Sequence, residues 1–347
     1  MSGIRQHFIP QELLKGFASR DSGREIHCWV FPSGKEASKR NTKKIAVEKF
    51  FYSDSKLDVD QPIWKLENAV GPVLDELRRE TKPIEITRNE IIPFIANLLV
   101  RTQSLRNQVF TSIELVLDLF TTQLTADPKF LAWLAKEEIQ KQLDEALKKA
   151  QSRGHLLNPY ERELWSKKAA EMVDSAAAES APLIAAFINS LRPKMADLVK
   201  SSHIQALHES LTDHSVPTAR AEALKNLSWS LFIGESGSFI LGDIGPICRS
   251  VESGSFDYLP TANDTECVIL PISHDRAIIG SVQGSSTHLD SELVNEASAA
   301  FSSTFFVSDR NSRKEQRYLK TLATKSFALT PDDMFRIFQD LEAISGK

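Results

Sequence analysis

The chain has 347 residues, 41% apolar and 25% charged, with a formal net charge of −4. That composition excludes a disordered chain and fits one large globular domain or two ordinary ones. The acidic balance excludes whole-protein attraction to nucleic acid, so any such binding needs a local basic patch. Three widely spaced cysteines, Cys28, Cys248 and Cys267, argue against a disulfide framework and for a reducing, cytoplasmic compartment. No run of about 18 apolar residues occurs, so no membrane helix is expected, and the opening residues lack the order of a secretion signal.

Gln6-His7-Phe8-Ile9-Pro10 is a dense opening. Leu13, Leu14 and Phe17 follow at helical spacing, predicting a short amphipathic helix that ends before Asp21-Ser22-Gly23. Residues 25–31 read as a strand with Ile26, Cys28 and Val30 on one face, closed by the Pro32-Ser33-Gly34 turn. From 35 to 49, six Lys/Arg stand against two Glu. This stretch is either a solvated loop or a phosphate-contacting edge built on Lys39, Arg40, Lys43 and Lys44. Phe50, Phe51 and Tyr52 return it to the core. A helix over 61–80 would bury Trp64, Ala69, Val70, Val73, Leu74 and Leu77, with Glu67 beside that stripe.

Thr87-Arg88-Asn89-Glu90 has capping-box spacing and starts a long apolar helix reaching Leu124, bent near Gln103. Arg101 lies inside it, and either snorkels to water or pairs with a buried carboxylate. Asp127-Pro128 and Asn158-Pro159 open two further helices, ending near 152 and 178. Another runs from 181 to 211 with a kink at Pro193. The middle third therefore reads as a helical bundle. His203 and His208 are five apart, off the spacing of a helical metal pair, and read as surface histidines.

After Val216-Pro217 the pattern changes. Leu227, Trp229 and Leu231 lie on a helix or a strand, and short strands are expected at 238–241, 266–271, 277–281 and 304–307. A helix over 289–301 carries Asn295, a basic helix spans 310–325, and an amphipathic helix at 332–343 offers a surface for a protein partner or self-association. The whole predicts an α+β protein, predominantly helical, with a small, mainly antiparallel sheet built from both ends of the chain. Residues 1–126 and 217–308 form one discontinuous domain in this reading. Residues 127–216 are a helical-bundle insertion and 309–347 a C-terminal helical extension.

Gln6-His7-Phe8-Ile9-Pro10 with Leu14 and Phe17 resembles the signature of a bacterial family known as the domain of unknown function numbered 4238. The likeness continues through Val47-Glu48-Lys49-Phe50-Phe51-Tyr52, Glu67, Val100-Arg101-Thr102, the strand and turn from Phe239 to Pro246, Ile269-Leu270-Pro271-Ile272-Ser273 and Leu293-Val294-Asn295. The resemblance selects His7, Glu67, Arg101, Asp243 and Asn295 as candidate site residues. On an enzymatic reading His7 is the general acid or base, and Glu67 or Asp243 orients it or holds a metal. Arg101 neutralises a phosphate or oxyanion, and Asn295 makes one hydrogen bond. Phosphodiester or nucleotide cleavage fits this set best, in the manner of a toxin or phage-defence effector. A divalent metal is compatible with it, although no ligand motif, Walker A, GxSxG or HExxH is present. On the other reading the same residues lock the fold of a non-catalytic binding or interaction module.

Overall fold

The computed structural model describes residues 5–19, 25–51, 60–87, 90–126, 141, 145, 148–149, 159–211, 224–235, 237, 239–257, 264–282 and 289–325. The expected helix at 332–343 and most of that at 127–152 lie outside the described residues. In order come β1 (Arg5–His7), α1 (Gln11–Lys15), β2 (His27–Pro32), β3 (Ser38–Asn41), a 3-10 turn (Thr42–Lys44), β4 (Val47–Lys49), α2 (Asp60–Arg79), α3 (Ile91–Val100) and α4 (Gln103–Ala126). Then follow α5 (Pro159–Leu211), β5 (Leu227–Ile233), β6 (Leu241–Gly242), β7 (Ile247–Ser250), β8 (Phe256–Asp257), β9 (Thr265–Ser273), β10 (Arg276–Val282), α6 (Ser291–Phe301), β11 (Phe305–Ser308) and α7 (Arg313–Leu319). Contacts divide the chain into two compact units, Met1–Val109 with Leu198–Ala328, and Phe110–Asp197 with Leu329–Lys347.

The class is α+β, with helix outweighing strand, but among the described residues three antiparallel sheets stand where one was expected. The four-stranded sheet, ordered β3-β2-β11-β6, does draw on both ends of the chain. The five-stranded sheet, β5-β10-β9-β7-β8, comes wholly from residues 227–282, and β1 pairs only with β4. The physical reason is the burial of β9. Its nine residues are almost continuously buried, which requires strands on both edges and cover on both faces.

Pro271 sits in this central strand, and the β9–β10 register shifts beside it. Nearby, the Ile272 carbonyl accepts from Arg78 Nε at 2.9 Å. The same Arg78 donates to the Glu12 carbonyl at 2.7 Å, so one guanidinium ties α1, α2 and β9 together. Gly16 lies so close that an added Cβ would meet the Ile272 oxygen at 1.9 Å. That approach is open only to glycine.

Several local expectations change. On α2 the buried stripe is Ile63, Val70, Val73, Leu74 and Leu77, while Trp64 is 60% exposed and Ala69 is exposed. Trp64 lies about 100° around the helix from Ile63 and so turns away from the core. The long apolar helix breaks at Arg101-Thr102 instead of bending. Thr102 Oγ1 accepts from the Leu105 amide at 3.2 Å, acting as the N-cap of α4. The α3 N-cap is Glu90, without a side-chain capping bond. Residues 159–211 form one helix that carries Pro182 and Pro193 within it, not two. The basic 35–49 stretch is largely β3, the 3-10 turn and β4. The Leu227-Trp229-Leu231 segment is strand β5, with those three residues buried on one face. A Ser312–Glu315 capping box starts α7 later than the expected 310.

In the first unit Leu13 and Leu14 of α1 and Phe17 just beyond it join Val70 and Leu74 of α2, Ile95 and Leu99 of α3, and Val268, Ile269 and Leu270 of β9 in one core. In the second, Leu124 and Ala181 pack with Phe120, Ile184 and Ile188.

Candidate functional site

His7 ends β1, opposite Val47 of β4. Its Nδ1 lies 3.0 Å from the Ile45 carbonyl, and the Gln11 side-chain nitrogen lies 2.8 Å from its Nε2. A carbonyl only accepts, so Nδ1 carries the proton. Nε2 presents its lone pair, which the Gln11 N–H meets. Burial depresses the His7 pKa. The Ile45 bond opposes that shift, and the charges of Arg5 and Arg101 reinforce it.

Arg101 ends α3 and is completely buried. Its Nη2 donates to Glu67 Oε1 at 2.5 Å. The Glu67 side chain keeps 22% of its surface exposed and borders a cavity of about 470 Å³ with Glu12, Lys15, Asn68, Asp75 and Arg79. The arginine therefore pairs with a carboxylate instead of snorkelling. One turn before it, Asn97 is also fully buried, and neither side-chain amide atom has a hydrogen-bond partner among the described residues.

His203 is not a surface histidine. Its Nε2 donates to the Val100 carbonyl at 3.1 Å, and its ring meets Phe51 edge-on at 5.7 Å. Burial pushes its pKa down to about 4. Arg106 covers Phe51 at 4.5 Å and bonds Glu48 at 2.5 Å, and Glu48 stands opposite Gln6 in the β1–β4 pair. The α3 C-terminus and the strand beside His7 are thus fastened by one polar and aromatic cluster. The side chain of His208 lies outside what is described.

Asp243 and Asn295 have different partners. Asp243 is completely buried and accepts from Ser104 Oγ at 3.1 Å and from the amides of Ser303, Thr304 and Phe305 at 3.0, 2.7 and 3.3 Å. The Thr304 hydroxyl donates to it as well. Burial raises its pKa while these donors pull it back. Asn295 Oδ1 accepts from the Ile240 amide at 3.0 Å, and its Nδ2 donates to the Tyr318 hydroxyl at 3.4 Å. The bonds described therefore sort the five residues into groups. Glu67 and Arg101 meet, with His7 under the arginine's field, whereas Asp243 holds the 303–305 corner and Asn295 holds the approach to β6.

A second place draws the predicted cations together. Lys39, Arg40, Lys43 and Lys44 all border one cavity of about 550 Å³, with Glu25, His27 and Asn41. The β2–β3 register sets His27 opposite Asn41. Asn41 Oδ1 accepts from the Lys43 amide at 2.9 Å and caps the 3-10 turn, while its Nδ2 donates to Glu25 at 2.9 Å. His27 Nε2 lies 3.8 Å from the Glu25 carboxylate, and Arg40 Nε donates to Ser38 at 3.0 Å. Four cations and one carboxylate thus border the same concave surface. Glu25, His27 and Asn41 were missed by sequence reasoning. The signal was available: counting outward from Gly34, the centre of the hairpin, pairs position 27 with 41.

Among the described residues no group of three His, Cys, Asp or Glu side chains is placed to hold a metal ion. No helix among them is long and apolar enough to cross a membrane. The family model described as "Protein of unknown function (DUF4238)" matches residues 5–326. No curated protein and no solved structure matches the chain.

Proposed function

This chain belongs to the family of proteins of unknown function DUF4238, and we propose that it is a binding module for a phosphate-bearing anion, with His7, Glu67, Arg101, Asp243 and Asn295 acting as fold locks. The observation that carries this reading is the convergence of Lys39, Arg40, Lys43 and Lys44 on one cavity of about 550 Å³. Cations around a concavity focus an anion more strongly than the same charges on a convex loop. The burial of Arg101 and Asp243 and the bonds of Asn295 support the lock half of the reading. Buried free thiols at Cys28, Cys248 and Cys267 support a cytoplasmic setting.

Calorimetric titration of the full chain with inorganic pyrophosphate tests it. The Lys39→Ala/Lys43→Ala double variant is expected to bind about 100-fold more weakly, from the loss of two charge-assisted bonds. It is expected to keep the wild-type melting temperature. Equal affinities in the two proteins would defeat the reading.

One observation favours a second reading. His7 is held in the Nδ1–H tautomer within the field of Arg101, and its Nε2 lone pair is met by the Gln11 side-chain amide, which a substrate would displace for Nε2 to act as base. On this reading the chain is a phosphodiester- or nucleotide-directed hydrolase acting as a toxin or phage-defence effector, with His7 as base. Expression of wild type and His7→Ala in cells separates the two. Growth arrest by wild type alone, with cleavage of a diester probe by the purified protein, supports the hydrolase. Identical growth and no cleavage by either protein remove it.

A further inference from the structure

The lining of the basic cavity is not uniformly positive, and the exception narrows the ligand. Glu25 borders the same space as Lys39, Arg40, Lys43 and Lys44. A carboxylate there repels phosphate and only accepts hydrogen bonds. Asn41 bonds Glu25 and at the same time caps the turn that carries Lys43, so one side chain links the acid to the cationic turn. A DNA backbone, a row of phosphates without hydroxyl donors, gains nothing from such a carboxylate. A ligand with hydroxyl donors beside its phosphates does. Among the described lining residues the His27 ring is the one aromatic surface, with the Arg40 guanidinium beside it.

We propose that this cavity takes a small phosphorylated sugar or polyol, its phosphates on Lys39, Arg40, Lys43 and Lys44 and its hydroxyls on Glu25, with Asn41 as the positioning residue. This rests on the phosphate-binding reading above and adds the class of ligand. Its volume of about 550 Å³ falls in the range of small-molecule sites, which run from roughly 300 to 1,000 Å³.

The test uses the full chain titrated with fructose bisphosphate, inorganic pyrophosphate, adenosine diphosphate and a mixed-sequence oligoribonucleotide. The variants are Glu25→Ala and Glu25→Gln. Glu25→Ala is expected to weaken fructose bisphosphate about 10-fold while leaving pyrophosphate unchanged or tighter. Glu25→Gln, which keeps an acceptor oxygen, is expected to restore part of the loss. Adenosine diphosphate is expected to bind no more tightly than fructose bisphosphate. If Glu25→Ala strengthens both phosphate ligands alike, the carboxylate only repels and the sugar-phosphate assignment is overturned, while the phosphate site stands. Tight binding of the oligoribonucleotide alone, or of adenosine diphosphate well above the sugar phosphate, overturns the assignment in favour of that ligand. If neither pyrophosphate nor fructose bisphosphate binds wild type, the phosphate-binding reading itself fails.

Discussion

Asp243→Ala is expected to cost about 4 kcal/mol of folding stability, a large share of the roughly 5–15 kcal/mol that holds a native protein folded. The carboxylate accepts from three backbone amides, those of Ser303, Thr304 and Phe305, and from the hydroxyls of Ser104 and Thr304. These donors come from α4 and from the corner between α6 and β11, regions far apart in sequence. Alanine leaves the amides without their acceptor in a place with little water. Asp243→Asn keeps one acceptor oxygen and is expected to lose roughly half as much. Urea unfolding of both variants measures the difference. A stable Asp243→Asn protein that lost diester cleavage would instead mark Asp243 as catalytic.

The second large effect is on pH. His203 has a folded pKa of about 4 because it is buried, against an ordinary imidazole value near 6.5. Between those values the unfolded chain binds a proton that the folded chain does not, so stability rises with pH across this window. The stabilisation is fully present above the unfolded value and is lost as pH falls toward 4, to the extent of about 3 kcal/mol. The groups facing the ring act oppositely: Arg106 deepens the shift and Glu48 offsets it. His7, also depressed by burial, adds to the same slope, while Asp243, raised by burial, works against it at the acid end. Urea unfolding of wild type and His203→Gln from pH 7 to pH 4 isolates the His203 share. The variant is expected to lose most of the acid-side fall. An unchanged slope would mean that His203 is not the buried neutral group described.

How much of this was legible beforehand follows from the range of each interaction. Helices α2, α3, α4 and α6 and strands β2, β9 and β10 follow from local periodicity, which needs only neighbours in sequence. The partner of Arg101 does not. An arginine in an apolar run leaves two outcomes open, and Glu67 lies 34 residues away on another helix. His203 was read as a surface residue because its spacing from His208 misses that of a helical metal pair, but its cover, Phe51 and the Val100 carbonyl, comes from other segments. The α2 stripe was misjudged at Trp64, which was counted on the apolar stripe although the phase set by Ile63, Val70 and Leu74 turns it outward. The basic cluster was visible as composition. Its concavity and its acidic member depend on the β2–β3 register, which only the turn fixes.

The anion is expected to meet the β2–β3 hairpin and not the His7–Arg101–Glu67 group. Hydrogen–deuterium exchange of the full chain with and without saturating inorganic pyrophosphate tests this most directly. The predicted result is slowed exchange concentrated in residues 25–44. Protection concentrated instead around residues 5–12, 64–79 and 97–106 would contradict the account and place the anion at Arg101.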